Sequence, residues 1–282
     1  MLVESYIKMK KYLPVSVLKG DNMYFDDLLE TSQDDLVQNI IGEELLSKLE
    51  QKNEVDSILL RKCQRIISID AFIKAIPQMD LILTESGFAV HSSEKLAPAS
   101  KQRVEALSRS MAERLDISID SLIEHLVTSV TYIDWRNSEQ FSLISSGFIC
   151  TYKEFKRYGE RTPNNAERYP KSYADFAKLY PSMNTALLAT ISPYLSADYC
   201  SELMESFRDK EIATAAEKQV LDYLKYAIAA IVLGDTKVGY NYIFSCLGYM
   251  KKQIDLFPTY SASIEAQSLD NPHKNTPIFS LL

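Results

Sequence analysis

Apolar residues recur at helical spacing along most of the chain. In residues 55–73, Leu59, Cys63, Ile66 and Ile73 lie three, four or seven positions apart, which is the spacing of one helix face. Toward its end this segment becomes apolar nearly all round, as buried helices are. Residues 220–231 repeat the pattern. With only 8 glycines and 10 prolines in 282 residues, the sequence predicts a mainly α fold in which these two helices are central.

One segment departs from the helical pattern. Apolar Leu81 and Leu83 precede the polar Glu85–Ser86–Gly87 turn, and Phe88 to Val90 are apolar again. Two short apolar runs on either side of a glycine-containing turn indicate paired strands. The sequence predicts a small β-hairpin or an extended excursion near residues 81–91.

The domain organisation follows from where the pattern fades. From Trp135 to about Ser146 polar residues dominate, and helical spacing resumes afterwards. The sequence therefore predicts an N-terminal helical domain over residues 1–135, a linker over 136–150, a C-terminal helical domain over 151–260 and an extended tail over 261–282. Within the linker and just after it, residues 148–152 resemble a short strand.

The order of predicted elements in the first half returns in the second half. Ile41 to Leu46 correspond to Pro193 to Leu203, and Ala71 to Ile76 correspond to Ala227 to Val232, at an offset of about 155 residues. Solenoid repeats are about 20 to 50 residues long, so this period indicates two related domains. Two explanations stay open at this point: a diverged duplication, or similar helical patterning without common origin.

Composition and motifs offer little for catalysis. The chain has three histidines and no HExxH or paired ExxH motif, and its four cysteines are far apart with no CxxC pair. Zinc and di-iron sites need such spacings. The acidic pairs, such as Glu43–Glu44, point in different directions on a helix and are interpreted as helix-start electrostatics. We expect no catalytic residues, no metal and no cofactor, and the protein is predicted not to be an enzyme.

Charge and hydropathy limit the partners and the location. The net charge is −7 with no long run of one sign, which argues against nucleic acid as the main partner. The most apolar run, residues 226–233, is far shorter than the about 20 residues that span a bilayer. The N-terminus has no signal-peptide pattern. These features predict a cytoplasmic protein, with no membrane contact, whose partners are other proteins.

Two segments are candidates for binding those partners. The tail contains four apolar residues, Ile278, Phe279, Leu281 and Leu282. Exposure of these side chains to water would be unfavourable. We expect the tail to dock on its own domain or to add a strand to a neighbour.

The second candidate is residues 152–178, which are locally basic and rich in tyrosine; its candidate binding residues are Arg157, Tyr158 and Arg161. Three interpretations of this segment stay open. From the most to the least favoured, they are an ordinary surface, a protein interface that uses Tyr and Arg as anchors, and a nucleic-acid site. Interleaved glutamates weaken the last of these.

The runs GFAV at 87–90 and LAPASKQRV at 96–104 resemble a family of uncharacterised proteins from Bacteroidetes phages and prophages. IIGEEL at 40–45 and YKEFKRY at 152–158 are similar to that family as well. The resemblance covers most of the chain, and the GFAV…LAPASKQRV run is its most specific part.

The resemblance implies a virion-assembly role: a helical head–tail connector or adaptor that assembles as a ring, with the portal, neighbouring virion proteins or its own copies as partners. The location would then be the bacterial cytoplasm, or the virion after assembly. The alternative is a helical protein-binding adaptor with no virion role. An enzyme of unrecognised type is a third hypothesis, which a pocket with converging Glu, His and Lys would favour.

Overall fold

The computed structural model describes residues 1–13, 25–51, 57–78, 81–84, 87–90, 100–160, 168–209, 214–263 and 265–266. The chain divides into two compact units, Met1–Gln140 and Phe141–Leu282. Both are built mainly from helices, which confirms the predicted mainly α fold class.

The described part of the first unit contains six α-helices and one pair of short strands. The helices are α1 (Tyr6–Met9), α2 (Asp26–Leu36), α3 (Gly42–Glu50), α4 (Ser57–Ala75), α5 (Lys101–Thr128) and α6 (Ile133–Arg136). Strands β1 (Leu81–Thr84) and β2 (Gly87–Val90) pair antiparallel, with Leu81 opposite Val90.

Helix α4 lies at the centre of the first unit. It packs against α2 on one side and α5 on the other. Cys63, Ile67 and Ala71 on this helix are fully buried, as the nearly continuous apolar surface predicted. The helix ends at Ala75 and continues as one turn of 3-10 helix, Ile76–Gln78, because Pro77 has no backbone N–H to continue the α-helical hydrogen bonds.

Helix α2 does not end cleanly. It continues as one turn of π-helix, Val37–Ile41, and then breaks at Gly42, whose φ is +74°. Glycine adopts this backbone conformation without the steric cost that a Cβ would bring. The break allows the chain to start α3 in a new direction immediately, with no intervening loop.

The second unit repeats this helical style. Its helices are α7 (Glu139–Ile144, which contains the boundary), α8 (Tyr152–Gly159), α9 (Tyr173–Ala177), α10 (Tyr180–Thr185), α11 (Ser192–Leu195), α12 (Ala197–Asp209), α13 (Ala215–Val232), α14 (Thr236–Lys252) and α15 (Pro258–Ser261). A π-helical turn, Ala186–Ile191, follows α10.

Helix α13 is the central helix of the second unit, as predicted. It begins with a capping box in which Thr214 and Glu217 satisfy each other's backbone N–H groups, and such a cap stabilises a helix start by about 1 kcal/mol. Its residues from Ala227 to Ala230 are fully buried. It packs most extensively against α14 and also against α8.

The predicted linker over residues 136–150 is wrong in its local structure. Part of it is helix α7, and Phe141, Ile144, Phe148 and Ile149 are all buried. A helix of six residues is too short to show a clear apolar period, so its polar residues dominated the pattern. The strand predicted at 148–152 is also absent there: Phe148 has a φ of 61°, and α8 begins at Tyr152.

Six helices of each unit follow one another in the same order and share four packing contacts. Helices α1, α2, α3, α4, α5 and α6 correspond to α8, α10, α12, α13, α14 and α15. The pairs α1–α4, α2–α4, α4–α5 and α3–α6 pack together, as do α8–α13, α10–α13, α13–α14 and α12–α15. In both units a π-helical turn lies shortly before the start of the third helix of this series.

The backbone break recurs as well. Gly42 has φ 74° and ψ 162°, and Ser196, 154 positions later, has φ 68° and ψ 148°. Independent helical patterning would not produce the same rare conformation at the same place, because residues other than glycine seldom adopt it. We therefore interpret the repetition as a diverged duplication.

Candidate functional site

The first unit carries a surface groove of about 340 Å³ beside α3 and α6. Apolar residues from the end of the π-helical turn, α3, α4 and α6 form its floor, and charged side chains form its rim. Its lining residues are Ile41, Gly42, Glu43, Glu44, Leu45, Lys48, Leu49, Leu59, Thr131, Tyr132, Asp134, Trp135, Ser138 and Gln140.

The groove is positioned by the break that follows α2. The last carbonyl groups of a helix have no partner within that helix. Here the Trp135 indole N–H donates to the Ile40 carbonyl at 2.7 Å, and the Gln140 side-chain amide donates to the Gln38 carbonyl at 3.3 Å. These two bonds hold the segment that follows α5 against the end of α2, and they fix the Trp135 ring in the groove floor.

The positive φ is the reason for glycine at position 42. A Cβ built there would lie 2.9 Å from the Gln140 Oε1 atom, but this atom is the end of a flexible side chain that can move aside at little cost. The neighbours of this glycine, Ile41 and Leu45, are buried, with 1% and 8% of their surface exposed, so the groove wall is rigidly packed.

The rim of the groove is acidic. The Lys48 ammonium lies 2.6 Å from the Asp134 carboxylate and 2.9 Å from that of Glu44. The hydrogen bond to Asp134, followed by that to Glu44, raises the pKa of Lys48 above its ordinary value, so Lys48 stays charged. Glu43 adds a third carboxylate. As the sequence predicted, Glu43 and Glu44 lie in the first turn of α3.

The arrangement suits recognition of an apolar group. Pockets that bind organic groups have volumes of about 300–1,000 Å³ and combine apolar walls with a few placed polar groups. Trp135 and Tyr132 are both in this floor, where they are 3% and 8% exposed, so they belong to the packed wall of the groove. The groove can take an apolar side chain, and its rim favours a positive charge next to it.

The four tail residues Ile278, Phe279, Leu281 and Leu282 lie outside the described residues, as does Arg161. Arg157 is exposed, and its guanidinium carbon is 5.6 Å from the centre of the Tyr158 ring. Tyr158, however, is 4% exposed and donates a hydrogen bond of 2.6 Å to the Asp222 carboxylate. Burial and this bond raise the pKa of the Tyr158 hydroxyl. Tyr158 therefore connects α8 to α13 instead of anchoring a partner.

The basic and tyrosine-rich segment largely serves its own unit. Tyr152 and Tyr173 are buried, and the Lys156 ammonium lies 3.9 Å above the Tyr152 ring. Lys225 pairs with Glu154. A single-stranded nucleic acid stacks its bases on exposed rings, and these two rings are covered.

The four cysteines are free and buried. Burial raises the pKa of the Cys63 and Cys246 thiols to about 12, so they are protonated and unreactive at neutral pH. Within the described residues no group of three or more His, Cys, Asp or Glu side chains could hold a metal ion. Among the helices in that part of the chain, none is both long and apolar enough to span a membrane.

Fold and site together define a helical protein of two like units, one of which carries an aromatic-floored groove. A family of unknown function (DUF6712) matches residues 17–142, which is less than half of the chain and contains the whole groove. No curated protein matches the chain, and no solved structure does.

The sequence did not reveal the groove. Trp135 is the only tryptophan of the chain, and it stands where the periodic pattern ends, so it was assigned to a domain edge. A single tryptophan directly after a long amphipathic helix was the one feature of the sequence that could have indicated the groove. The partner atom, the Ile40 carbonyl, is 95 positions away in sequence.

Proposed function

We propose that the chain is a non-enzymatic assembly protein that binds other proteins, and specifically a head–tail connector or adaptor of a phage or prophage. The groove of the first unit is the observation that carries the protein-binding part. The resemblance of residues 87–90 and 96–104 to phage and prophage proteins supports the virion part. The alternative is a helical protein-binding adaptor with no virion role.

The groove favours a protein partner because of how its residues are arranged. A groove that accepts a side chain from a partner combines apolar walls with a few placed polar groups. Trp135 and Tyr132 are at the floor, and Glu44, Lys48 and Asp134 surround them. The partners would be the portal, neighbouring virion proteins or further copies of the chain, in the bacterial cytoplasm or in the assembled virion, with no nucleic acid and no cofactor required.

Static light scattering of the purified full-length chain over a wide concentration range tests this proposal. A connector that forms a ring should give one discrete mass, larger than a dimer of the 32.1 kDa chain, because cyclic assembly closes at a fixed number of subunits. A mass that stays at 32.1 kDa at every concentration would overturn the connector proposal and favour the adaptor.

A further inference from the structure

We infer that the groove of the first unit receives the apolar segment at residues 276–282 of a second copy of this chain. The inference rests on the proposed assembly function and names the partner of that same site. It is carried by the comparison of the two units, by the charge of the groove rim and by the sequence of the tail.

The second unit shows what the groove floor becomes when the unit fills it itself. Leu45 in α3 corresponds to Tyr199 in α12, 154 positions later, the same separation as between Gly42 and Ser196. Tyr132 and Trp135 correspond to Phe257 and Tyr260, each 125 positions later. Each pair occupies the same place in its unit, because α3 packs on α6 as α12 packs on α15.

The ring of Tyr199 packs into its own unit. Its centre is 6.1 Å from that of Phe257 and 6.0 Å from that of Tyr260, and the side chain is 4% exposed. The Tyr199 hydroxyl is buried with no hydrogen-bond partner among the residues that the structure describes. A buried polar group without a partner is unfavourable, so this ring fills the space at a cost.

In the first unit the shorter Leu45 leaves that space unfilled by a ring of its own unit. The groove is present in the unit with leucine at this position, where a segment from outside can supply the missing apolar group. The occupant should bring an aromatic or large aliphatic side chain to the place that the Tyr199 ring takes in the second unit.

The tail has the composition that the groove requires. Its apolar residues Ile278, Phe279, Leu281 and Leu282 follow a basic pair, His273 and Lys274. Four positions separate Lys274 from Ile278, a reach of about 13 Å in an extended chain. The Lys274 ammonium can therefore approach the rim carboxylates while Ile278 or Phe279 enters the floor. The rim carries Glu43, Glu44 and Asp134 against the single Lys48, so the charges are complementary.

Docking between copies follows from the proposed assembly. Each copy has one groove and one tail, so each can give one contact and receive another. Such head-to-tail contacts form a ring when the rotation between copies closes. Tail docking between copies thus supplies the contact that a ring-forming connector needs.

Two full-length variants test the two sides of the contact separately, one in the groove and one in the tail. Asp134→Arg reverses the charge of an exposed rim residue and places a second cation beside Lys48. The double variant Phe279→Asp with Leu281→Asp removes apolar groups from the tail. Each should sediment and scatter as a monomer while the far-ultraviolet circular dichroism stays as in the original chain.

Matched controls carry the same changes of charge elsewhere. Asp198→Arg reverses an exposed aspartate in the first turn of α12, outside the groove. Gln267→Asp with Ser268→Asp adds two carboxylates ahead of the docking segment 276–282 and keeps all four apolar residues. Both controls should retain the assembly mass of the unaltered chain.

The decisive step is to mix the two variants in equal amounts. The groove variant still offers its tail, and the tail variant still offers its groove, so the mixture should form one heterodimer of twice the 32.1 kDa mass and nothing larger. Two monomeric variants that do not combine would overturn docking between copies. Variants that keep the full assembly mass would overturn the tail–groove contact and leave the assembly proposal standing, whereas an unaltered chain that is monomeric would remove that proposal itself.

Discussion

At the scale of single residues, one backbone conformation occurs twice with different side chains. Gly42 and Ser196 differ by less than 15° in φ and ψ. Glycine adopts this conformation freely, but serine is strained in it. Ser196 makes a local contact in this conformation. Its hydroxyl accepts a hydrogen bond of 3.2 Å from the Tyr199 N–H and so caps the start of α12.

Exchanging the two residues should give unequal effects. Gly42→Ser should lower the free energy of unfolding by about 1–3 kcal/mol, because it places a side chain on a backbone conformation that strains it. Ser196→Gly should change it by less than about 1 kcal/mol, since relief of strain offsets the lost cap and the greater freedom of the unfolded chain. Urea unfolding followed by circular dichroism measures both. A Gly42→Ser variant as stable as the original would contradict the requirement for glycine.

At the scale of elements, the packing of α14 against α13 in the second unit depends on a glycine. Gly239 in α14 faces α13, and a Cβ there would lie 2.5 Å from Ile231 Cγ1 and 3.2 Å from the Ala227 carbonyl oxygen. Gly248 in the same helix is exposed, and a Cβ there would meet nothing within 4 Å. The two glycines are thus a matched pair for separating helix packing from helix propensity.

The two alanine substitutions should act in opposite directions. Gly248→Ala should stabilise the chain by up to about 1 kcal/mol, because alanine favours a helix interior over glycine by that amount. Gly239→Ala gains the same propensity but forces α14 away from α13, and overpacking costs about 1–3 kcal/mol, so its net effect should be destabilising. Denaturant midpoints of the two variants decide this, and equal stabilisation by both would show that the α13–α14 contact is looser than described.

The sequence predicted the elements that are long and periodic and missed those that depend on distant partners. The central helices around residues 55–73 and 220–231 were recognisable because many buried positions repeat at one period. Helix α7 spans only six residues, which is too few for such a signal, and a linker was predicted in its place. The groove depends on the bond from Trp135 to Ile40, which no local pattern encodes. Tyr158 is of a residue type that often anchors interfaces, but it is buried and hydrogen-bonded to Asp222.

At the scale of the whole molecule, the two units share an architecture and differ in one decisive place. The first keeps a groove of about 340 Å³, and the second fills the corresponding position with the Tyr199 ring. The family of unknown function matches residues 17–142, the part with the groove. In the proposed assembly, the first unit receives a partner and the second unit does not.

The substitution that tests this account most directly is Leu45→Tyr, which gives the first unit the residue that the second unit has. We expect the ring to fill the groove floor, as the Tyr199 ring packs against Phe257 and Tyr260, and to exclude the partner segment. The measurement is the solution mass by light scattering, with unchanged circular dichroism as the check of folding. We expect the original chain to be a discrete oligomer and the variant to be a monomer of 32.1 kDa. A folded Leu45→Tyr variant with the same mass as an oligomeric original chain would contradict the role of the groove in assembly.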